Sequence, residues 1–348
     1  MKVWYSILKG QARCTPKHVT PIGLADSLQQ RIHTAQTEMT EHQVGHTSTL
    51  VIDEKRNNRM LGVDVWYPAH TKPEDAVTRY ELLPGVSFPS ATAFENAPLA
   101  SGKFPLLVWS HGRTGLRFNY SQLCEAIAAS GFVVVSSDHP GDTLTDWMTG
   151  QNVDDETNDK QRLGDVSFIA DCAIGARSEL MSGLASIVDA NNMFIGGHSY
   201  GGLTALIATT GIHGMPAEKR FKAAIGAQAY TRILPAELIA SVPVPVLLLV
   251  GLGDITTSPA TDAEPAWEIL SKSSLPHRRL NLPYGGHQAC SDFALYIELA
   301  PGVEGVPQLV LDYLKSIAAD SPTGFETTWR ATLSEQIEEI KVFLSAHM

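Results

Sequence analysis

The sequence predicts an α/β fold built on a doubly wound, mostly parallel sheet with helices on both faces. Short apolar, β-branched runs alternate along the chain with helical stretches, which is the pattern that βαβ units produce. One of these runs passes through a G-x-S-x-G motif directly into a helical stretch. The predicted core strands are Leu106–Ser110, Phe132–Ser136, Met193–Gly197, Ala223–Ala227, Val244–Val250 and Arg279–Leu282.

An antiparallel hairpin is predicted ahead of these strands. Its first apolar run is Leu50–Ile52. In the second run Leu61, Val63 and Val65 alternate with other residues, which places them on one face of a strand. The stretch Lys55–Asn58 between the runs is polar and is the predicted turn.

Three segments lie outside this core. Residues 1–45 are predicted to be an N-terminal extension with an amphipathic helix over Ala25–Met39, and residues 46–348 are predicted to form one α/β domain. Residues 69–103 are rich in proline and are predicted to cap that domain or to line the mouth of its active site. Near the end of the chain, one helical face carries the apolar residues Trp329, Leu333, Ile337, Ile340 and Leu344. This face either packs on the body of the domain or forms a homodimer contact.

The strongest functional signal is the run Gly197–Gly201, G-H-S-Y-G, which lies between a predicted strand and the predicted helix Gly202–Ala208. In this context the motif indicates a nucleophile elbow, which raises a serine hydroxyl above the C-terminal edge of the sheet. The flanking glycines are needed because strand and helix nearly touch there. Ser199 is therefore the predicted nucleophile, and the alternative is a glycine-rich turn with a capping serine.

A serine hydroxyl needs a base, and the base needs a third group that holds its tautomer. In α/β-hydrolases the acid and then the histidine follow the serine along the chain. The predicted strand Val244–Val250 ends at Gly251–Asp254, and Asp254 is the only carboxylate at that end. The next strand leads into a glycine-rich loop that contains His287. Ser199, Asp254 and His287 are therefore the predicted catalytic triad.

The acid and the base each have competitors in the sequence. Asp262 is the nearest rival acid, but it begins the predicted helix Ala263–Leu270, where a carboxylate is more simply a capping group. His111 and His139 end earlier strands, and His198 lies inside the elbow. These three histidines are predicted to orient loops rather than to carry protons.

Several motifs, found in a fixed order, carry a resemblance to a known family. They are V-W-Y-P at Val65–Pro68, W-S-H-G-R at Trp109–Arg113 followed by Ala126–Val135, the helix that includes Asp165–Phe168, G-H-S-Y-G-G at the elbow, and the stretch His287–Phe293. Together they resemble the dienelactone-hydrolase-like α/β-hydrolases and, within these, are similar to the secreted and type II platelet-activating-factor acetylhydrolases. The resemblance extends from about Val44 to about Phe293. Dienelactone hydrolase itself carries cysteine at the elbow, where this chain has Ser199.

The resemblance implies an α/β-hydrolase fold and a metal-independent serine esterase, without a cofactor, that acts on a small-molecule carboxylic ester. It also implies an oxyanion hole formed by the backbone N–H groups of Tyr200 and Arg113, because such folds use the residue after the nucleophile and the loop after the third strand. The Arg113 side chain either borders the cleft, where it would favour acidic esters, or turns outward to Asp142. Two other functions stay open: an amidase or lactamase with the same triad, and a non-catalytic relative that binds a ligand.

Composition limits the partners and the compartment. A formal net charge of −11 argues against nucleic acids and anionic membrane surfaces as partners. No apolar run is long enough to span a membrane, no signal peptide is predicted, and the four cysteines lie far apart, so we expect a cytoplasmic protein with reduced thiols. Gly251 and Gly253 hint at a dinucleotide motif, but Thr256 occupies the position of its third glycine. The sequence has no cluster of Cys and His residues with metal-ligand spacing, so no metal is expected.

Overall fold

The computed structural model describes residues 41–348 except 84, 303–305, 319–321 and 323. These residues form a sheet with helices on both faces. The helix predicted over Ala25–Met39 lies outside the described residues, as does Cys14.

Ten strands form a mixed sheet in the described part of the chain. They are β1 Gln43–Asp53, β2 Arg59–Ala69, β3 Val77–Leu83, β4 Val86–Glu95, β5 Phe104–Ser110, β6 Val133–Ser137, β7 Val188–His198, β8 Phe221–Ala227, β9 Val246–Gly251 and β10 Arg278–Leu282. Their order across the sheet is β10-β9-β8-β7-β5-β6-β2-β1-β4-β3. All neighbours from β10 to β6 are parallel, whereas β2 is antiparallel to both β6 and β1.

The helices of the described residues cover both faces of this sheet. They are α1 Ser121–Ala129, α2 Leu144–Thr149, α3 Asp155–Ala173, α4 Leu184–Ile187, α5 Tyr200–Thr210, α6 Ala236–Ala240, α7 Ala263–Leu270, α8 Phe293–Leu299, α9 Gln308–Ala318 and α10 Phe325–Ser345, with 3₁₀ turns at Glu54–Arg56 and Ala300–Gly302. Helices α3 and α5 pack on one face, and α1 and α10 pack on the other. The doubly wound, mostly parallel architecture predicted from the sequence is confirmed.

The central strands are buried on both faces, and their sequences are therefore almost continuously apolar. On β5, Leu106 and Val108 belong to the core cluster under α3 and α5. Leu107 and Trp109 belong to the cluster under α1 and α10, because successive side chains of a strand point to opposite faces. All six predicted core strands are present, although several begin or end at other residues than predicted.

The predicted hairpin is also present. Strands β1 and β2 pair along their whole length and are joined by the 3₁₀ turn Glu54–Arg56. Strand β1 begins at Gln43, so the last residues of the predicted extension 1–45 lie in the sheet.

Residues 69–103 contain two strands that their composition did not predict. Strands β3 and β4 form an antiparallel hairpin at the edge of the sheet, where β4 pairs in parallel with β1. The buried carboxylate of Glu125 on α1 accepts a hydrogen bond from Tyr80 Oη at 2.6 Å. It also accepts from Ser90 Oγ at 2.8 Å and from Thr92 Oγ1 at 2.6 Å. Together with the pairing of β4 and β1, this side chain holds the hairpin on the body. A role of the segment in capping or lining the site stays a prediction.

The apolar stripe near the end of the chain lies on α10. Its five residues, Trp329, Leu333, Ile337, Ile340 and Leu344, are all buried in the core cluster that includes α1 and the sheet. The stripe therefore packs on the body of the same chain, as the first of the two interpretations predicted. It is not free to form a homodimer contact, and a homodimer through another surface stays a prediction.

Candidate active site

The fold brings the candidate site together where the strand order reverses. Strand β5 is followed along the chain by β6 on one side of it and by β7 on the other. In open α/β sheets, ligands bind beyond the carboxyl ends of the strands at such a switch point. The loop after β5 meets the turn after β7 there, because a Cβ added to Gly112 would lie 3.2 Å from Cβ of Ser199.

Ser199 occupies the turn between β7 and α5 in a strained backbone conformation. Its φ of 54° and ψ of −116° are rarely adopted by a residue with a side chain. Such a conformation costs about 1–3 kcal/mol and persists only where the surroundings enforce it. The Ser199 N–H donates to the Ala227 carbonyl at 2.9 Å, and the Tyr230 N–H donates to the Ser199 carbonyl at 3.0 Å. The structure thus contains the strained strand-to-helix turn that the motif predicts.

The glycines around Ser199 allow three pieces of backbone to meet. A Cβ at Gly201 would overlap the carbonyl oxygen of Ser110, and a Cβ at Gly197 would overlap the backbone of Gly201. At Gly202 the added atom would lie 2.7 Å from the side chain of Ala229. Only glycine fits at such distances, which is the physical reason for the spacing of the motif.

Asp254 lies in the loop after β9 and is buried. One carboxylate oxygen, Oδ1, accepts the backbone N–H groups of Thr256 and Thr257, both at 2.8 Å. The other, Oδ2, lies 2.7 Å from Thr257 Oγ1 and 2.9 Å from His287 Nδ1. Burial raises the pKa of Asp254, but the hydrogen bonds from His287 and Thr257 outweigh it and hold that pKa below its usual value. Asp254 is therefore an ionised acceptor, and His287 Nδ1 carries the hydrogen.

Glycines also bring the loop of Asp254 against the loop of His287. The Gly253 N–H donates to the Gly285 carbonyl at 2.9 Å. A Cβ at Gly251 would come within 2.7 Å of the same carbonyl oxygen, so a larger residue would separate the two loops. Because Nδ1 of His287 donates to Asp254, Nε2 is the ring nitrogen that is left to accept a proton.

The rival acid Asp262 is engaged elsewhere. It occupies the N-cap position of α7, as predicted, but its carboxylate makes no hydrogen bond to that helix. Instead, Oδ1 accepts the backbone N–H groups of Thr231 and Arg232, both at 3.0 Å, and the Arg232 guanidinium pairs with the carboxylate. The interpretation of Asp262 as a helix cap is thus corrected, because two other backbone donors and a cation hold its carboxylate. Because the Asp262 carboxylate is taken up by these partners, Asp254 is the carboxylate that bonds the imidazole of His287.

The loop after β5 holds the Gly112–Arg113 peptide in one orientation. The Gly112 carbonyl accepts the Gly115 N–H at 3.0 Å and lies 2.7 Å from His111 Nδ1. The N–H of a trans peptide points away from its carbonyl, so the Arg113 N–H is directed to the opposite side. The N–H of Tyr200 is the first of α5, and the first N–H groups of a helix have no partner within it.

The Arg113 side chain is directed towards two carboxylates. Its Nη2 donates to Asp155 at 2.5 Å, and its Nε lies 3.6 Å from Asp142. The guanidinium also lies over the rings of Tyr200, at 4.5 Å, and Trp147, at 5.5 Å. This is the outward orientation, towards Asp142, that was one of the two alternatives. In this orientation the charge of Arg113 already has carboxylate partners, and a preference for acidic esters stays a prediction.

His111, His139 and His198 are buried as uncharged imidazoles. Burial, followed by the nearby charge of Arg162, lowers the pKa of His139 to about 4 and that of His111 well below its usual value. Burial, followed by the proximity of His287, lowers the pKa of His198 to about 3. Their hydrogen bonds reach loop backbone and neighbouring side chains, as the prediction that they orient loops requires.

Two residues at the site had not been found from the sequence. Thr257 supports Asp254 with both its N–H and its hydroxyl. The spacing of the two residues was a usable signal, because an aspartate often accepts backbone N–H groups a few residues further on. Arg162 is fully buried and donates to the His111 carbonyl at 2.7 Å and to Asp142 Oδ2 at 2.8 Å. Its partners lie far away in the chain, so nothing local predicts the contact.

The described side chains include no group of three or more His, Cys, Asp or Glu residues arranged to hold a metal ion. Within the same ranges, the helices are too short or too polar to cross a membrane.

Comparisons with known proteins agree with this architecture. Residues 82–178 match the family model of platelet-activating factor acetylhydrolase, isoform II. The fold is similar to the solved structure of a ferulic acid esterase from Streptomyces cinnamoneus, with a TM-score of 0.65 and 23% sequence identity over 90% of this chain and 92% of that one. A comparison with curated protein sequences gave no match. The chain has the α/β-hydrolase fold, and the family match supports the resemblance to serine esterases.

We expect the free energy of unfolding to fall as the pH is lowered from about 6.5 to about 4. In the folded protein the pKa values of His139 and His198 are about 4 and about 3, whereas an unfolded chain protonates its histidines from about pH 6.5 downwards. Between these values the unfolded state binds more protons, so acid favours unfolding, by several kcal/mol in total. Urea denaturation at a series of pH values measures the effect.

The variant His139→Gln should flatten this dependence, because it removes one of the three buried histidines whose pKa values are lowered. His70→Gln, at an exposed position, is the matched control. A slope that is the same in His139→Gln and in the unsubstituted protein would show that His139 is not a source of the pH dependence.

Proposed function

We propose that this chain is a serine hydrolase that cleaves a small-molecule carboxylic ester through an acyl-enzyme, with Ser199, Asp254 and His287 as the triad. The observation that carries the proposal is the strained serine turn together with the buried Asp254–His287 pair, at the carboxyl ends of β7, β9 and β10. The order of the three residues along the chain is the one found in α/β-hydrolases. Similarity to an acetylhydrolase family and to an esterase structure supports ester cleavage.

In the first step, Ser199 Oγ attacks the carbonyl carbon of the ester and its proton passes to Nε2 of His287. The Nδ1–H of that imidazole donates to Asp254, which keeps Nε2 as the acceptor. As the imidazolium forms, the ionised carboxylate of Asp254 stabilises it. The hydrogen bonds from Thr256 and Thr257 hold that carboxylate in place.

The attack moves negative charge onto the carbonyl oxygen, and two backbone donors are proposed to receive it. They are the N–H groups of Tyr200, at the start of α5, and of Arg113, whose peptide is fixed through the Gly112 carbonyl. Donors of this kind are held in place before the reaction, and each contributes about 3–4 kcal/mol to lowering the barrier. Arg113 acts here through its backbone alone.

The tetrahedral intermediate then expels the alcohol, which takes the proton from Nε2 of His287 as its bond to the carbonyl carbon breaks. The acyl group remains on Ser199. A water molecule attacks this acyl-enzyme while His287 removes its proton, and the same proton returns to Ser199 Oγ as the carboxylic acid leaves. Every proton that His287 accepts is therefore returned within one turnover.

We also propose a cytoplasmic location. The cysteines among the described residues, Cys124, Cys172 and Cys290, are buried free thiols. Burial raises the pKa of Cys172 to about 12 and the pKa values of the other two well above the usual range, so all three stay protonated. Unpaired thiols are usual in a reducing compartment.

We expect Ser199→Ala to lower kcat on p-nitrophenyl acetate by on the order of 10⁶, because the nucleophile is lost. A fluorophosphonate probe should label the unsubstituted protein at Ser199 and leave the variant unlabelled, and the melting temperature checks that the variant is folded. If the unsubstituted protein neither reacts with the probe nor turns over the ester, the chain is a non-catalytic relative.

Asp254→Asn should lower kcat by about 10⁴, because an amide favours the wrong tautomer of His287. Asp262→Asn is the matched control, since it changes a buried carboxylate in the same part of the chain that does not contact His287. Steady-state kinetics of both variants tests the assignment. A larger loss in Asp262→Asn than in Asp254→Asn would contradict it.

An ester should be cleaved with a higher kcat/KM than the amide of the same acid, because an alcohol leaves more readily than an amine. A series of p-nitrophenyl esters of graded acyl length, each compared with its anilide, measures this preference and the length of acyl chain accepted. Faster cleavage of the anilides would show an amidase instead.

A further inference from the structure

A row of buried hydrogen bonds joins the loop after β5 to the loop of His287 through the residue that precedes the nucleophile. The Gly112 N–H donates to Tyr120 Oη at 3.1 Å. Tyr120 Oη lies 2.9 Å from His198 Nδ1, and His198 Nε2 lies 2.6 Å from the carbonyl oxygen of His287. The three side chains are buried, so water does not compete for these bonds.

The two ends of the row fix its direction. A backbone N–H only donates and a carbonyl oxygen only accepts, so His198 Nε2 carries a hydrogen. Nδ1 of the neutral ring then accepts from the Tyr120 hydroxyl, which itself accepts from Gly112. A second hydrogen on Nδ1 would leave the hydroxyl hydrogen of Tyr120 without this partner. With His198 uncharged, every hydrogen of the row, including that of the Tyr120 hydroxyl, therefore has an acceptor.

We propose that His198 is a positioning residue that holds His287 in place to receive the proton of Ser199. We also propose that Tyr120 links the loop after β5, which contains Gly112 and Arg113 and is here called the oxyanion loop, to the same row. The proposal rests on the proposed function, because it assigns His287 the role of base. We name the row Gly112–Tyr120–His198–His287 the relay.

The loop of His287 needs such support because its backbone is preceded by Gly285 and Gly286. Glycine is the least constrained residue, and two in succession leave the orientation of the next residue poorly defined. The bond to Asp254 fixes Nδ1 but permits the ring to swing about that contact. The bond from His198 to the His287 carbonyl fixes the backbone as well. The two rings also pack against each other, with centroids 4.7 Å apart and planes tilted by 49°.

The charge state of His198 matters for the same reason. His287 becomes an imidazolium during the reaction, and a second cation at this distance would oppose that step. Burial and the relay keep His198 neutral, so the ring gives mechanical support without repelling the charge. A lysine or arginine at position 198 would lack this property.

Three variants separate positioning from bulk packing. His198→Phe keeps a ring but removes both hydrogen bonds, and we expect kcat on p-nitrophenyl acetate to fall by roughly 10- to 100-fold with KM changed by less than about 3-fold. His198→Gln can still donate through Nε2 to the His287 carbonyl, and kcat should return to within about 5-fold of the unsubstituted protein. Tyr120→Phe removes the link to the oxyanion loop and should lower kcat by about 10-fold.

His46→Phe is the control for the loss of a buried histidine. His46 lies on β1 and bonds Asp64 at 2.8 Å, three strands away from β5, and its kcat should be unchanged. All measurements use the full chain, with near-ultraviolet circular dichroism as the check of folding.

The outcomes distinguish the proposal from the proposed function. If the unsubstituted protein neither turns over the ester nor is labelled at Ser199, the proposed function and the role of His198 are both contradicted. An active protein in which His198→Phe keeps full kcat, or in which His198→Gln loses as much as His198→Phe, would overturn the relay alone. If His198→Phe does not fold, the other two variants provide the test. Full kcat in Tyr120→Phe together with a lowered kcat in His198→Gln would then overturn the relay.

Discussion

The close approach of α5 to the ends of β5 and β7 is the constraint on which the rest of the site depends. Gly201, in the first turn of the helix, lies so near the Ser110 carbonyl that no Cβ fits between them. A helix that starts this close to the sheet forces the residue before it into a left-handed conformation, and that residue is Ser199. The strain persists because α5 is buried along nearly its whole length, so the core holds the turn in place.

Two buried charged side chains near this turn are paired with opposite charges. Arg162 has no exposed surface, and its charge is met by Asp142 and by the His111 carbonyl. Asp165 is likewise buried and is paired with Arg56 and Arg59. A buried ion without partners would cost several kcal/mol, and partial satisfaction would leave the loops free to choose other arrangements. These pairings therefore hold the loops in one arrangement and offset part of the cost of burying the charges.

The sequence predicted the parts of this architecture that depend on local patterns. The core strands are buried on both faces and form apolar runs, so their positions could be recognised before any pairing was known. Strands β3 and β4 were missed because strand positions without a partner on one side tolerate proline and polar residues. β3 is the edge strand, and Pro89 of β4 lies outside Ala93–Glu95, the part of β4 that pairs with β1. The partners of Asp262 and Arg162 could not be found either, because they come from distant elements that only the fold brings near. The pairing of Asp254 with His287 could be predicted because the order of the elements along the chain, and not a contact, points to these two residues.

The variable residue of the elbow motif illustrates where a sequence pattern stops carrying information. G-x-S-x-G requires glycine where backbones touch and serine where the nucleophile stands, and it leaves position 198 open. In this chain the surroundings decide that position: a hydroxyl lies on one side of it, at Tyr120, and a carbonyl on the other, at His287. One side chain that accepts at one end and donates at the other satisfies both, and a neutral imidazole does so across a ring of fixed size. The choice of residue at an open position of a motif is therefore set by the loops that close over it, and these belong to the particular chain.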